Sequence, residues 1–514
     1  MTIRLKSLGM VALLAGTFVL AAWVRSEAAR DPLWIDEYLS GWTVADAWSE
    51  AGRRGDQANQ APAYTWLLLA ATRLGGLSPA VIRAPSLLGG LLVVGVSVWF
   101  AWRVTGRDSA AILAGFLAAI DPNFVFYASE ARPYALVQLC GLISSWSLIE
   151  WLCLRSPAND RPRIGWAIGW SSAAIAMFYL HYTSSILIAL QCIVGSVIWL
   201  RAVPKSRAWP IAVAIVLLAC LPGIVAVLQI YGRANDWQAV SSAEGFVHAL
   251  HTTFVCYLGP AVLGFLWSLN VRRKESAANR ALWLALSSLL AGSIATIWFL
   301  ASYRLAPLGH YRYAIAGLGL GPVVATCLLG LVPRRFERVA LASIVALIAL
   351  SQTTLGEHAS QGILQSAMRF ERWDEVAAAI AASDDPEFLP VVVMPNLIED
   401  SRMRDLREFP RASYFYAPLV VFNSLDDRQP IWAAPTWKSG RFSDDLVQAI
   451  EQAGGVWLVI RGGRAGTEIA DRLELSILND LRSRFADSKW SLHFEHRGPM
   501  ESDVQLLRVQ LTRK

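Results

Sequence analysis

The sequence predicts a polytopic α-helical membrane protein of about eleven transmembrane helices with a C-terminal extracytoplasmic α/β domain. Three observations lead there. Hydrophobic residues make up 55% of the 514-residue chain and charged residues 17%, well to the apolar side of an ordinary soluble domain. Apolar runs of roughly 18–22 residues recur through the first 355 positions, and each can cross a hydrocarbon core about 30 Å thick. Beyond that point the pattern changes to short β-rich runs alternating with amphipathic stretches. The six cysteines, Cys140, Cys153, Cys192, Cys220, Cys256 and Cys327, all fall inside apolar runs without metal-ligand spacing, so neither a disulfide framework nor a zinc module is expected. The net charge of +6 comes from basic residues in the short connections, and no nucleic-acid partner is implied.

The first apolar run, Leu8–Val24, is longer than a signal-peptide core and no small-x-small site precedes Arg25, so it reads as a retained span. The polar stretch that follows forms the first outer loop, 25–84. Within it Tyr64–Leu74 is too short to cross comfortably, and Trp42, Trp48, Tyr64 and Trp66 suit helices lying in the interface. Further spans are predicted near 85–102, 109–128, 133–154, 164–180, 184–200, 209–230, 249–270, 281–300, 312–332 and 338–355. The connections Arg103–Arg107, Arg155–Arg163, Arg201–Arg207, Arg272–Arg280 and Arg334–Arg338 are short and basic, which marks the cytoplasmic side. The expected topology is a multi-pass inner (plasma) membrane protein, N-terminus in and C-terminal domain out. Its domains are 1–355 and 356–514. In the second, Trp373–Ala382 and Asp471–Phe485 read as helices, and Pro390–Met394, Gly455–Ile460 and Val504–Leu511 as strands. Arg461-Gly462-Gly463 lacks the spacing of a nucleotide fingerprint and reads as the turn ending a strand.

Four polar clusters share the predicted outer face: Asp36-Glu37; Tyr127 to Tyr134 with Glu130 and Arg132; Tyr179 to Ser184 with His181 and Tyr182; and His310-Tyr311-Arg312-Tyr313. Each alone has a bland explanation. Two acids enrich the first turn of a helix, a Glu and an Arg pair locally, a histidine sits satisfied at an interface, and an Arg between tyrosines snorkels in an aromatic belt. Four on one side argue instead for a polar cavity at the membrane edge.

Trp34-Ile35-Asp36-Glu37, Asn59-Gln60-Ala61-Pro62-Ala63-Tyr64, Arg83-Ala84-Pro85-Ser86, Glu130-Ala131-Arg132-Pro133-Tyr134 and Arg312-Tyr313 occur in the order seen in GT-C membrane glycosyltransferases. Over roughly residues 8–355 the pattern resembles the bacterial family 39, protein O-mannosyltransferase-like and aminoarabinose-transferase-like enzymes. That resemblance implies a hexose or pentose on a polyprenyl phosphate as donor. It also implies transfer on the extracytoplasmic face to a glycan, lipid or protein acceptor, and Asp36 as catalytic base. Two departures stand out. The Lys-Pro-Pro or His-Pro-Pro element of relatives reads Gln60-Ala61-Pro62 here, and the tail does not resemble the carbohydrate-binding trefoil of eukaryotic mannosyltransferases, which counts against protein as acceptor.

The residues fit that chemistry on their own terms. A sugar on a lipid phosphate already carries a good leaving group, so the enzyme needs one carboxylate for the acceptor's proton and donors for the departing phosphate. Asp36 supplies the first, with Glu37 beside it capping or orienting the loop. Arg132 and Arg312 with Tyr134, Tyr182, Tyr311 and Tyr313 supply the second, since the planar guanidinium matches phosphate oxygens. Glu130 and the histidines, His181 foremost, either hold a divalent metal (Mg²⁺, Mn²⁺ or Zn²⁺) or orient the arginines. Membrane lipids are the surrounding partner. A transporter or flippase of lipid-linked sugars is the alternative, but the internal repeats such a protein would show are missing. A scaffold would leave the polar clusters unexplained.

Overall fold

The protein is described from a computed structural model, covering residues 5–153, 161–201, 207–232, 253–270, 276–303, 311–351, 371–383, 388–394, 417–426, 428–433, 442–461, 478–485, 490–497 and 502–513. The helices in chain order begin with α1 (Leu5–Ala28), α2 (Ile35–Val44), α3 (Trp48–Gln57), α4 (Pro62–Gly75), α5 (Pro79–Thr105), α6 (Asp108–Ile120) and α7 (Pro122–Ala128). Next come α8 (Tyr134–Leu152), α9 (Arg161–Leu180), α10 (Ser185–Arg201), α11 (Ala208–Tyr231), α12 (Gly259–Asn270) and α13 (Ser276–Tyr303). They end with α14 (Tyr311–Leu318), α15 (Gly321–Ala325), α16 (Cys327–Leu331), α17 (Glu337–Ser351), α18 (Trp373–Ala381) and α19 (Asp444–Ala453). Contacts divide the chain into two compact units. One comprises Met1–Ala29, Ala61–Tyr64 and Arg83–Ala367; the other comprises Arg30–Gln60, Thr65–Ile82 and Met368–Lys514. Most of the first loop thus groups with the C-terminal region.

In the first unit, six helices are long and apolar enough to cross a membrane: Gly9–Ala28, Pro79–Thr105, Tyr134–Leu152, Tyr182–Arg201, Ala208–Ile230 and Arg280–Leu300. A seventh arises if α6 and α7, which meet at 61°, count as one. The expected eleven is therefore not confirmed among the described residues, and two of the predicted spans are broken. The run 109–128 bends because Pro122 has no N–H to continue the ladder, and Asp121 instead caps α7 by accepting from Asn123 and Phe124 N–H at 2.9 and 3.1 Å. The run 312–332 divides into α14, α15 and α16, with breaks at Gly319-Leu320, just before the Gly321-Pro322 start of α15, and at Thr326.

The break at Pro122 leaves two carbonyls in need of donors, and a buried arginine supplies them. Arg25 of α1 donates to Ala118 O at 2.8 Å and to Ala119 O at 2.9 Å. Gly90 of α5 makes room, since a Cβ there would stand 3.0 Å from Arg25 Nε. Farther along, Gln191 of α10 ties α8 to α9. It donates to Ser144 and Ser145 Oγ at 2.8 and 2.9 Å and accepts from Trp170 Nε1 at 3.0 Å. Such buried polar links hold helices together where apolar surface meets apolar surroundings.

The second unit combines α2, α3 and most of α4 with α18, α19 and a five-stranded sheet. Its strands are β1 (Val391–Met394), β2 (Ile431–Ala433), β3 (Gly455–Arg461), β4 (Trp490–His496) and β5 (Val504–Arg513), in the order β2-β1-β3-β5-β4. β1 is parallel to β2 and β3, whereas β5 is antiparallel to β3 and β4. The central strands are buried and β4 forms a half-exposed edge. The predicted strands at 390–394, 455–460 and 504–511 are present. The predicted helix 373–382 is α18, and 478–485 is helical at the C-terminal half of 471–485, whose first part lies outside the described residues. α2, α3 and α4 have 10, 10 and 14 residues, each too short to span.

Candidate active site

The first unit gathers three of the four sequence clusters at one place. Asp121 caps α7, α7 runs into a tight turn in which Arg132 N–H reaches Glu130 O at 2.8 Å, and α8 begins at Tyr134 with Pro133 as its N-cap. His181 opens the single 3₁₀ turn between α9 and α10, and α14 packs against both that turn and α8. The rings follow from this packing. Tyr134 lies edge-on to Tyr127 at 4.9 Å, His181 sits 5.4 Å from Tyr134, and Tyr313 sits 5.9 Å from His181. The Arg132 guanidinium stands over Tyr134 at 5.7 Å and that of Arg312 over Tyr313 at 5.3 Å, both in cation–π range. Glu130 is fully buried, Arg132 and Arg312 half-buried.

The electrostatics of this group favour an anion. His181 retains some open surface but lies deep among protein atoms. That burial, reinforced by the charges of Arg132 and Arg312, pushes its pKa down to about 3, so the ring is neutral at physiological pH. Its Nδ1 is 2.7 Å from Thr183 Oγ1, which fixes the ring's orientation. Glu130 and His181 were the expected metal ligands. Among the described residues no group of three or more His, Cys, Asp or Glu is arranged to hold an ion, and two guanidiniums repel a dication. The donor set fits a phosphate better than a metal.

Other members of the sequence pattern buttress this corner. Tyr64 Oη and Ser86 Oγ are 3.1 Å apart, and Ser86 donates to Arg132 O at 2.6 Å. The Pro62-Ala-Tyr64, Pro85-Ser86 and Arg132 elements are thereby linked in one hydrogen-bonded series. Arg83 donates to Ala29 O at 2.7 Å. Tyr182 packs edge-on to Phe178 at 5.2 Å, beside Gly223 of α11. Tyr311 opens α14, and His310 lies outside the described residues. The Ser86 hydroxyl faces a backbone carbonyl and that of Thr183 faces the His181 ring, partnerships that a pattern of residue types does not reveal.

Asp36 and Glu37 belong to the second unit, in the first turn of α2. They differ sharply: Glu37 is fully buried and Asp36 partly exposed. Glu37 Oε2 reaches back to accept the Trp34 N–H at 3.4 Å, the N3-to-N-cap half of a capping box. Tyr38, next along, accepts a hydrogen bond from Asn423 Nδ2 at 3.0 Å and packs edge-on to Phe422 at 5.5 Å and Trp373 at 6.2 Å. Burial pushes the Tyr38 phenol well above its ordinary value, against the opposing pull of Asn423. Gln60 Nε2 donates to Ser40 Oγ at 3.2 Å and so braces α2.

Known structures place this architecture. ArnT from Cupriavidus metallidurans, in the apo state, aligns with a TM-score of 0.52 at 14% identity over 98% of each chain. The archaeal oligosaccharyltransferase AglB from Archaeoglobus fulgidus, in complex with an inhibitory peptide and a dolichol-phosphate, aligns with a TM-score of 0.51 at 11% identity. That alignment covers 99% of this chain and 75% of that one. The fold is that of the GT-C glycosyltransferases. No protein-family model and no curated protein matches the sequence. At such identities the GT-C likeness speaks for the fold, and the chemistry has to be argued from the residues.

Proposed function

We propose that the chain is a membrane glycosyltransferase that moves a hexose or pentose from a polyprenyl-phosphate carrier to an acceptor hydroxyl. In this reading it acts on the extracytoplasmic face of the inner membrane, in modification of an envelope glycan or glycolipid. The observation that carries the proposal is the convergence of Arg132, Arg312 and a neutral His181 among tyrosines in a GT-C fold. AglB, of the same fold, is seen with a dolichol-phosphate, and a polyprenyl phosphate is the matching ligand class here. In this reading Arg132 and Arg312 bind the carrier phosphate and Asp36 is the base.

The reaction is a substitution at the anomeric carbon. The acceptor oxygen gives its proton to Asp36 and forms the new C1–O bond, while the C1–O bond to phosphate breaks and the phosphate keeps the electron pair. Arg132 and Arg312 receive the leaving charge in bidentate fashion. His181, uncharged, donates or accepts a hydrogen bond. Glu130 holds the guanidiniums in place. Glu37 is fully buried and caps α2, whereas Asp36 on the same turn is partly exposed, which supports Asp36 as the base.

The test replaces each acid alone. Asp36→Asn should lower turnover by about 10²–10⁴-fold with donor KM little changed, and Glu37→Gln should cost much less turnover and more stability. Release of undecaprenyl phosphate from synthetic undecaprenyl-phosphate mannose and arabinose is the assay. Equal, full turnover in both variants would overturn the proposal; reversed effects would move the base to Glu37.

A further inference from the structure

Ile35 is the first residue of α2, and its amide is among the donors that a helix start leaves unmatched. A carboxylate 336 positions away takes it: Ile35 N–H donates to Glu371 Oε2 at 2.8 Å. The same oxygen accepts from Trp373 Nε1 at 2.9 Å, and Oε1 accepts from Arg461 Nε at 2.6 Å. Glu371 is only 5% exposed. A carboxylate removed from water in this way needs a charge partner and filled lone pairs, and it has both. Its surroundings are stiff. Trp373 is fully buried and lies edge-on to Tyr38 of α2, Arg372 N–H donates to Ser502 Oγ at 3.1 Å, and Arg461 ends β3 at the middle of the sheet. A bonded path therefore runs from the sheet through Arg461 and Glu371 to the residue immediately preceding Asp36.

We propose that Glu371 is a positioning residue for the Asp36 carboxylate, and that through it the C-terminal sheet domain takes part in catalysis. The inference rests on the reading of Asp36 as base. Glu371 grips the peptide that leads into Asp36, so the direction of the Asp36 Cα–Cβ bond follows the Glu371 clamp. A base must lie within hydrogen-bond reach of the proton it takes, and a displacement of about 1 Å can cost about 10²-fold in rate. The buried end of Glu37, capping the same turn, limits sliding along the helix but leaves tilt to be set by Glu371. Arg132 and Arg312, which take the phosphate, belong to the other unit, so carrier binding is not expected to depend on the clamp.

The experiment uses the full-length protein in nanodiscs and the undecaprenyl-phosphate mannose and arabinose assay, with variants Glu371→Ala, Glu371→Gln, Arg461→Met and the Gln/Met double. Glu371→Ala should lower kcat by about 10²-fold and leave donor KM within about two-fold. Glu371→Gln keeps one acceptor oxygen and should recover part of that loss. Arg461→Met should add little in the Gln background, because the two act through one path. Without any substrate, amide hydrogen exchange of Trp34–Leu39 should quicken in Glu371→Ala while β1 and β3 keep their protection. A purely structural Glu371 would instead lower the yield of folded protein and leave kcat per folded molecule unchanged. That result in Glu371→Gln, alongside a disabled Asp36→Asn, would overturn the positioning role alone. Full turnover in Asp36→Asn would overturn the base assignment and this inference together. Should the alanine variant not fold, the near-isosteric glutamine variant decides.

Discussion

Arg25→Met is the sharpest test of how the first unit is held together. The substitution keeps an unbranched side chain of similar reach and removes the guanidinium. Ala118 O would normally accept from residue 122, which is Pro122 and has no N–H. Ala119 O would accept from Asn123 N–H, which Asp121 has already engaged. Both carbonyls therefore depend on Arg25, at 2.8 and 2.9 Å, whereas its third acceptor, Ala21 O, lies within its own helix. Each buried carbonyl left without a donor costs about 1–3 kcal/mol, giving about 2–6 kcal/mol for the pair. Polar links between membrane helices measure about 0.6 kcal/mol on average, which draws the expectation to the low end, about 2–3 kcal/mol. Unfolding in mixed micelles, followed by tryptophan fluorescence, measures the loss. The same reasoning predicts rescue: Pro122→Ala restores an N–H for Ala118 O, so Arg25→Met should cost about 1 kcal/mol less in that background. A loss below about 0.5 kcal/mol, or an identical loss with and without Pro122, would refute the account.

Arg312→Ala should raise donor KM strongly and Arg312→Lys should recover only part of it, because a point charge lacks the bidentate fork. An unchanged KM for undecaprenyl-phosphate mannose and arabinose in the alanine variant would return Arg312 to an aromatic-belt anchor. His181 makes stability depend on pH. The unfolded imidazole binds a proton near 6.5 and the folded one only near 3. The unfolded state therefore holds the extra proton between these values. The contribution is fully present above about 6.5 and is lost as pH falls toward 3. His181→Gln should flatten the decline in thermal midpoint over that window, and an unaltered slope would contradict the buried neutral ring. For topology, a cysteine placed at Ser49 should react with an impermeant thiol reagent in intact cells and one at Ser276 should not; the reverse pattern would put the proposed site on the cytoplasmic face.

The parts of this molecule legible in the sequence are those set by local pattern. Apolar length gave the long helices, period-2 and buried runs gave β1, β3 and β5, and short aromatic-flanked stretches gave α2, α3 and α4. Some local signals were present but overridden by the search for twenty-residue runs. Asp121-Pro122 is an N-cap followed by N1 proline, a helix start inside the span predicted at 109–128. Ser443 and Gly454, with Leu446 and Ile450 four apart, frame α19. Ser443 Oγ accepts from Leu446 N–H at 3.3 Å, and Gly454 takes φ +69°. The three residues of β2 were too few to register as a pattern. The candidate site was legible as residue types on one predicted side. What sequence could not supply was partnership: that Ser86 holds the Arg132 carbonyl, that Arg25 serves a broken helix, or that Glu371 caps α2. Such pairs are joined only by the fold.

The long separation between Ile35 and Glu371 has a consequence for how the protein is made. The 336 residues added after Ile35 up to and including Glu371 take roughly 17–67 s to translate at about 5–20 residues per second. Throughout that time the segment carrying Asp36 has been synthesised and its partner has not. The second unit closes only when the last 150 or so residues exist, because Arg30–Gln60 and Thr65–Ile82 find their compact neighbours in Met368–Lys514. A chain stopped early would contain the arginines and the tyrosines yet lack the frame for its acid. Under the proposed function, the order of synthesis separates the arginines and tyrosines assigned to the carrier from the frame that holds the proposed base.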